Sequence, residues 1–363
     1  MHHLKTMPLC QKCRAVRGLS YALAASLFAF SNASHAHNFC VTTAQELQDD
    51  LNQSATGGMY NGEDNTLYLA QGVYKTGAVT GNGPFHYSSS AATGYLNIRG
   101  GYGPNCSTFA FDSTRARLDG NHASQVLALL NQNADIIISQ LTIQNGEATT
   151  NGGGVIIASG ATPTVTLTII KDNHTTAQGG GLAIYATGSD TNDYLNLDTN
   201  LITNNSADQD AGAGIVSAFA AYTGVTRNTF YGNTTAGSGL SSTGTGGLFV
   251  NSDGYLTNNI FKQNTLYGAY LAVSGIFFSY NDYGAIGGHP FDPGSTGNTT
   301  VAADFVDAAG GNFRLAGTSP LLGFTPDTLG TFNDIENHPY PRTGKGDLGP
   351  YAETIFTDGL ESN

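Results

Sequence analysis

The middle of the chain keeps returning to one short phrase: an aliphatic or aromatic residue, two polar residues, then asparagine. It reads Ile170-Lys171-Asp172-Asn173, Ile202-Thr203-Asn204-Asn205, Phe230-Tyr231-Gly232-Asn233 and Phe261-Lys262-Gln263-Asn264. A weaker first copy is Leu141-Thr142-Ile143-Gln144-Asn145-Gly146. The anchors at 143, 170, 202, 230 and 261 lie 27, 32, 28 and 31 residues apart. A period of that size belongs to stacked units, each too small to bury its apolar face alone.

Between the copies lie runs of strand length, among them Ile136 to Ile138, Val155 to Ile157, Val165 to Ile169, Leu182 to Tyr185 and Leu248 to Val250. Alternation along each sends one set of side chains inward and the other outward. No helical pattern of useful length separates them, which excludes a doubly wound α/β sheet. A propeller blade needs a longer period, and a sandwich needs no repeat at all. An all-β parallel β-helix, with three short strands per coil, accounts for all of it.

In such a coil, asparagines at one corner can stack and hydrogen-bond from level to level. Asn173, Asn205, Asn233 and Asn264 are the expected ladder. The glycine clusters at 152–154, 179–181, 212 with 214, and 246–247 are expected to supply backbone angles closed to other residues. One helix is expected, from Cys40 to about Asn52, with Thr43 and Glu46 as a capping box and Ala44, Leu47 and Leu51 on one face. It is the natural cover for the open N-terminal end of the stack. Residues 301–352, where the refrain stops and prolines recur, are expected to cap the other end.

Residues 1–36 read as a secretory leader, with four basic residues, an apolar stretch from Leu19 to Phe30, and Ser34-His35-Ala36 at the cleavage point. This implies an exported protein with no transmembrane segment in its mature form. Removing the leader leaves 10 basic and 27 acidic residues, so 10 − 27 = −17 formal charges. So acidic a surface excludes nucleic acid as a partner. It also disfavours polyuronates unless calcium or a local basic cleft intervenes. The CxxC of Cys10 and Cys13 departs with the leader. Cys40 and Cys106 remain, an even pair pointing to one disulfide from the N-terminal segment to the first strands; two separate buried thiols are the alternative.

Leu118-Asp119-Gly120 followed by Leu141-Thr142-Ile143-Gln144-Asn145-Gly146 resembles secreted bacterial right-handed parallel β-helix proteins of the pectin-lyase-like superfamily. The C-terminal stretch resembles the choice-of-anchor Q domain, through Asp304-Phe305-Val306-Asp307, Gly311 to Leu315, Ser319-Pro320-Leu321 and Gly346 to Tyr351. It departs from that pattern at Leu322-Gly323 and within Asn337 to Arg342. Residues 353–363 resemble a terminal sorting tag, with Leu360 where Phe is usual. The resemblance implies domains at 37–125 (cap and first coils), 126–300 (repeats) and 301–352. It also implies a place outside a bacterial cell or on its outer-membrane surface.

Two chemistries recur on such coils. A glycosidase needs two carboxylates facing the scissile bond, and a lyase needs a base and a group neutralising the uronate. Asp208 and Asp210 are the best carboxylate pair, since alternate residues of an extended loop point the same way. They are also the calcium candidates, together with the acidic turns at 189–193 and 204–210; no other cofactor is expected. Arg227 is the candidate cation beside them. Lys171 and Lys262 hold equivalent repeat positions three coils apart, roughly 14 Å by strand spacing, too far for one centre. His174 reads as a turn residue, and no pair of histidines has zinc-ligand spacing. Aromatic residues crowd the coils from Tyr185 to Tyr283; Phe230 and Phe261, at anchors, belong in the core, and any exposed file of tyrosines would be a platform for sugar rings. The reading favoured by the residues is a non-catalytic protein binding polysaccharide or a cell-surface partner, with an extracellular lyase or glycosidase, and a plain structural spacer, as the alternatives.

Overall fold

A computed structural model describes Ala36 to Ala352, apart from residues 92, 132, 134, 161–162, 189–193, 220–221, 238, 327–332 and 340–344. The expected leader up to residue 35, the tail at 353–363 and the turn at 189–193 therefore lie outside the described residues, and Ala36 already belongs to the first strand. Three long parallel sheets run along the stack. The first has nine strands, from Ala36–Val41 to Phe277–Ser279; the second and third have eight each, from Gly72–Lys75 to Asp282–Tyr283 and from Phe85–Ser89 to Ile286–Gly288. A fourth, of four two-residue strands, lies between the second and third, from Glu147–Ala148 to Thr234–Thr235.

Register keeps like residues above one another. In the second sheet the inward file runs Leu118, Ile143, Ile170, Ile202, Phe230, Phe261, Tyr283, so every anchor of the refrain points into the core. Phe230 and Phe261 stack with ring centres 4.8 Å apart and planes 7° from parallel. Each fully buried side chain of this kind contributes about 1.5–3 kcal/mol, which a single coil could not gather alone.

The expected asparagine positions stack as a ladder. The Nδ2 groups of Asn173, Asn205 and Asn233 donate to the Oδ1 of Asn205, Asn233 and Asn264 at 2.9, 3.0 and 2.9 Å. A second ladder, absent from the expectations, runs Asn200, Asn228, Asn259, Asn281, Asn298 at the corner between the first and second sheets. That corner divides the run from Val165 to Ile169, which is two strands, Thr164–Thr166 and Ile169–Lys171, with Leu167 at φ 52° between them.

Most cluster glycines have another purpose than the one expected. Gly152 and Gly179 do adopt positive φ, at 79° and 74°. The others are needed for close approach: a Cβ on Gly180 would lie 2.3 Å from the Ser206 carbonyl and 2.5 Å from that of Gly212.

The helix is shorter than expected. Cys40 sits on the first strand, and the helix spans Ala44–Ser54 because Thr43 and Glu46 close a capping box that fixes its start. Leu47 and Leu51 are fully buried against the first coils. Cys40 and Cys106 form a disulfide with Cα atoms 5.8 Å apart.

At the other end it is Phe291, stacked 4.5 Å from Phe278, that covers the cut core. The segment expected to do so instead folds back along the side. Its hairpin, Phe305–Asp307 with Asn312–Leu315, sets Phe305 and Phe313 against the outward ring of Tyr231. Leu315, Leu321 and Leu348 pack on Ile260, and Tyr351 joins Leu201. The reason is the outer face of the second sheet: Ile169, Leu201, Tyr231 and Ile260 point outward there and need cover.

Candidate functional site

The proposed carboxylate pair is one carboxylate. Asp208 is exposed, whereas Asp210 is fully buried beneath the loop at 239–245. Asp210 Oδ2 accepts from the Leu240 and Ser241 amides and the Ser241 hydroxyl, at 2.9, 2.6 and 2.7 Å. Its Oδ1 accepts from the Ala211 and Thr245 amides at 2.8 and 2.7 Å. Five donors aimed at one carboxylate fold a loop around it and leave their positive ends where a cation would have to sit. Asp210 therefore serves neither general acid–base work with Asp208 nor calcium binding with it.

Arg227 is not their neighbour. It occupies the corner between the first and second sheets, at φ 54°, with its side chain nearly buried. Its Nη2 lies 2.7 Å from Asp198 Oδ2, and its Nε donates to the Thr199 hydroxyl at 3.2 Å. Asp208 and Asp210 instead follow Ser206–Ala207, a strand of the fourth sheet. Arg227 ties one coil to the coil beneath it.

Lys171 and Lys262 stand in one outward file with Thr203 and Tyr231 between them, three rungs apart as the repeat implies. Lys171 pairs with Asp172 at 3.5 Å. Lys262 reaches the fully buried Asp282 at 2.7 Å. Burial lifts that carboxyl to about 6, against the pull of the Lys262 ammonium. His174 sits on the fourth sheet, its Nδ1 2.9 Å from the Ser206 hydroxyl and its Nε2 3.7 and 3.8 Å from Glu147 and Asp208. Among the described residues, one group has ligand atoms close enough for a metal: Asp334, Glu336 and His338. There the buried Asp334 already accepts from the amides of Glu336, His338 and Ala352, which define the turn.

The aromatic residues divide by depth. On the third sheet Phe249 and Tyr270 stack at 5.6 Å, but Phe249 is buried with Ala211 and Ile215. On the first sheet the rings are open. Tyr194 and Tyr222 are register partners, 41% and 38% exposed, with ring centres 5.8 Å apart and planes 28° from parallel. Tyr255, on the next rung, lies 6.2 Å from Tyr194. Its ring leans over Gly224, where a Cβ would meet the phenol oxygen at 2.8 Å, so glycine makes the room. Phe277, 38% exposed, pairs with Tyr255 and continues the row. The sequence held these residues, but only register shows which tyrosines share an open face.

Stacked parallel coils with ladders at two corners define the chain as a parallel β-helix. A family model for the right handed beta helix region matches residues 97–305, more than half of the 363, and the chain belongs to that family. A search of the curated proteins finds no match for the chain.

Proposed function

We propose that this is an exported, non-catalytic β-helix protein that binds glycans, outside the cell or at its surface, through the outer face of its first sheet. The observation that carries the reading is the open row of Tyr194, Tyr222 and Tyr255, extended by Phe277. Aromatic rings on successive rungs of one open face offer apolar surface to the rings of a sugar chain, and their phenol groups add hydrogen bonds. The leader-like first 36 residues, the disulfide and the acidic mature surface all agree with export. On the same reading, residues 301–352 are a choice-of-anchor Q type domain and the tail is a sorting element. The non-catalytic part rests on the duties of the candidate groups: Asp210 holds a loop and Arg227 holds a corner.

A glycan array on the mature chain, followed by titration calorimetry, tests it. The chain should retain at least one glycan, and Tyr194→Ala with Tyr222→Ala should weaken that binding at least tenfold while leaving the sheet spectrum intact. Release of reducing ends or unsaturated sugars from a bound polysaccharide would overturn the non-catalytic reading. Binding indifferent to both rings would overturn the site, and an array on which nothing is retained would overturn glycan binding itself.

A further inference from the structure

The C-terminal segment does not lie flat on the second sheet. Between its hairpin turn and the outward side chains of the coils is an open groove of about 620 Å³. Ten lysines and arginines follow the leader, against 27 acids, and three of them line this groove: Arg117, Lys171 and Arg314. Two acids, Asp172 and Glu336, share the lining and pair with Lys171 and Arg314 respectively. Arg117 makes no ion pair among the described residues. Three cations against two acids give a local excess of positive charge on a strongly negative molecule.

A second observation points to a ligand. Thr203 lies on the groove floor, and the burial of its neighbour Ile202 in the core fixes it on the outward side. It is 3% exposed, yet its hydroxyl makes no hydrogen bond among the described residues. A buried polar group without a partner costs free energy that a bound acceptor or donor would return. Arg117 and Lys171 stand about two rungs, roughly 10 Å, apart along the stack, within joint reach of their long side chains.

We propose that this groove binds a small organic anion, a carboxylate or sulfate group carried on a hydroxylated body. The charged group lies among Arg117, Lys171 and Arg314, and a hydroxyl of the body meets Thr203. The guanidinium groups supply paired donors in the geometry such oxyanions accept. The site is separate from the tyrosine row, on another sheet, and does not depend on it.

Titration calorimetry of the mature chain against glucuronate, glucose 6-sulfate, inorganic sulfate and glucose tests the proposal. At least one sugar anion should bind, more weakly as salt is raised, and glucose should not. The tighter of the two sugar anions identifies the charged group. Arg117→Gln with Lys171→Gln should weaken binding at least tenfold, and Thr203→Val, which keeps the shape, should weaken it several-fold. The Tyr194→Ala, Tyr222→Ala variant should bind the anion as the parent does, which separates failure here from failure of the glycan site. Failure of both sugar anions to bind, affinity unchanged in the glutamine variant, or inorganic sulfate matching both sugars would overturn it.

Discussion

Each central coil turns two corners on asparagine, and the two differ in how they are built and how they are read. At both, a residue with positive φ precedes the asparagine, whose Oδ1 accepts two N–H groups from the coil before. At the corner after the second sheet those preceding residues are Asp172, Asn204, Gly232 and Gln263, with φ between 55° and 65°. At the corner before it they are Thr199, Arg227, Asn258 and Tyr280, with φ between 53° and 61°. The first set is small, polar or glycine, as a left-handed turn prefers. The second set includes large side chains, and one has work of its own: the Arg227 guanidinium holds Asp198 and the Thr199 hydroxyl. A corner that carries other interactions can tolerate residues that its backbone angle disfavours.

The largest effect should come from the middle of either ladder. Asn205→Ala removes the acceptor for both the main-chain and side-chain N–H of Asn173, and the donor to the Ile170 carbonyl. Asn228→Ala does the same to Asn200 and the Leu197 carbonyl. All of these groups are buried, so each substitution should cost about 3 kcal/mol or more. Asn298→Ala, at the end of the second ladder and partly exposed, should cost about 1 kcal/mol. Denaturant unfolding of the three variants checks this. Near-neutral cost at one corner with a large cost at the other would break the equivalence.

That equivalence was only half legible in the sequence. The first ladder follows an apolar anchor by a constant three residues, so a search from strand to turn finds it. The second precedes the same anchors by two residues, as Asn200 precedes Ile202 and Asn228 precedes Phe230. It is as regular, but the residue before it varies from Thr to Arg to Tyr, and its asparagine looks like the start of a strand. Arg227 looks like a free candidate cation in the sequence for the same reason: nothing local says that it stands at a corner. Asp210 looks like any solvated turn acid until the loop at 239–245 folds over it. The groove was beyond reach, because Arg314 comes to line the same groove as Lys171 only after the C-terminal segment folds back, and the outward apolar file that draws it there is split among separate coils.

The second corner also runs further, to Asn281, only 22 residues after Asn259, and there it is followed by the buried Asp282. Its carboxyl, lifted by burial from 3.8 to about 6, binds its proton more tightly in the folded chain than in the unfolded one. The stability it contributes is therefore fully present below about pH 4 and lost as pH rises through 6. Asp50, on the N-terminal helix, is lifted to about 6 by burial and by the nearby Glu46 and Asp49 charges, and acts in the same direction. Unfolding free energy measured from pH 4 to 7 should fall by on the order of 1–3 kcal/mol from the two together. Asp282→Asn should flatten part of that slope, and an unchanged slope would mean that the Asp282 carboxyl is open to water.

The smallest effect is the most diagnostic, because the two corners should answer one kind of substitution with opposite signs. Gln263 is exposed, holds φ 56°, and makes no side-chain hydrogen bond among the described residues. Gly232, its equivalent one coil earlier, holds φ 65°. Gln263→Gly relieves the left-handed strain but adds freedom to the unfolded chain, so the net gain should be about 0.5 kcal/mol. At the other corner Arg227→Gly relieves the same strain and discards the bonds to Asp198 and Thr199, so it should destabilise. Arg227→Lys, which retains a charge but not the planar fork, should fall between glycine and the parent. If Arg227→Gly instead stabilised the chain, the guanidinium would not be what that corner keeps the strained residue for, and the difference between the corners would reduce to chance in the choice of side chain.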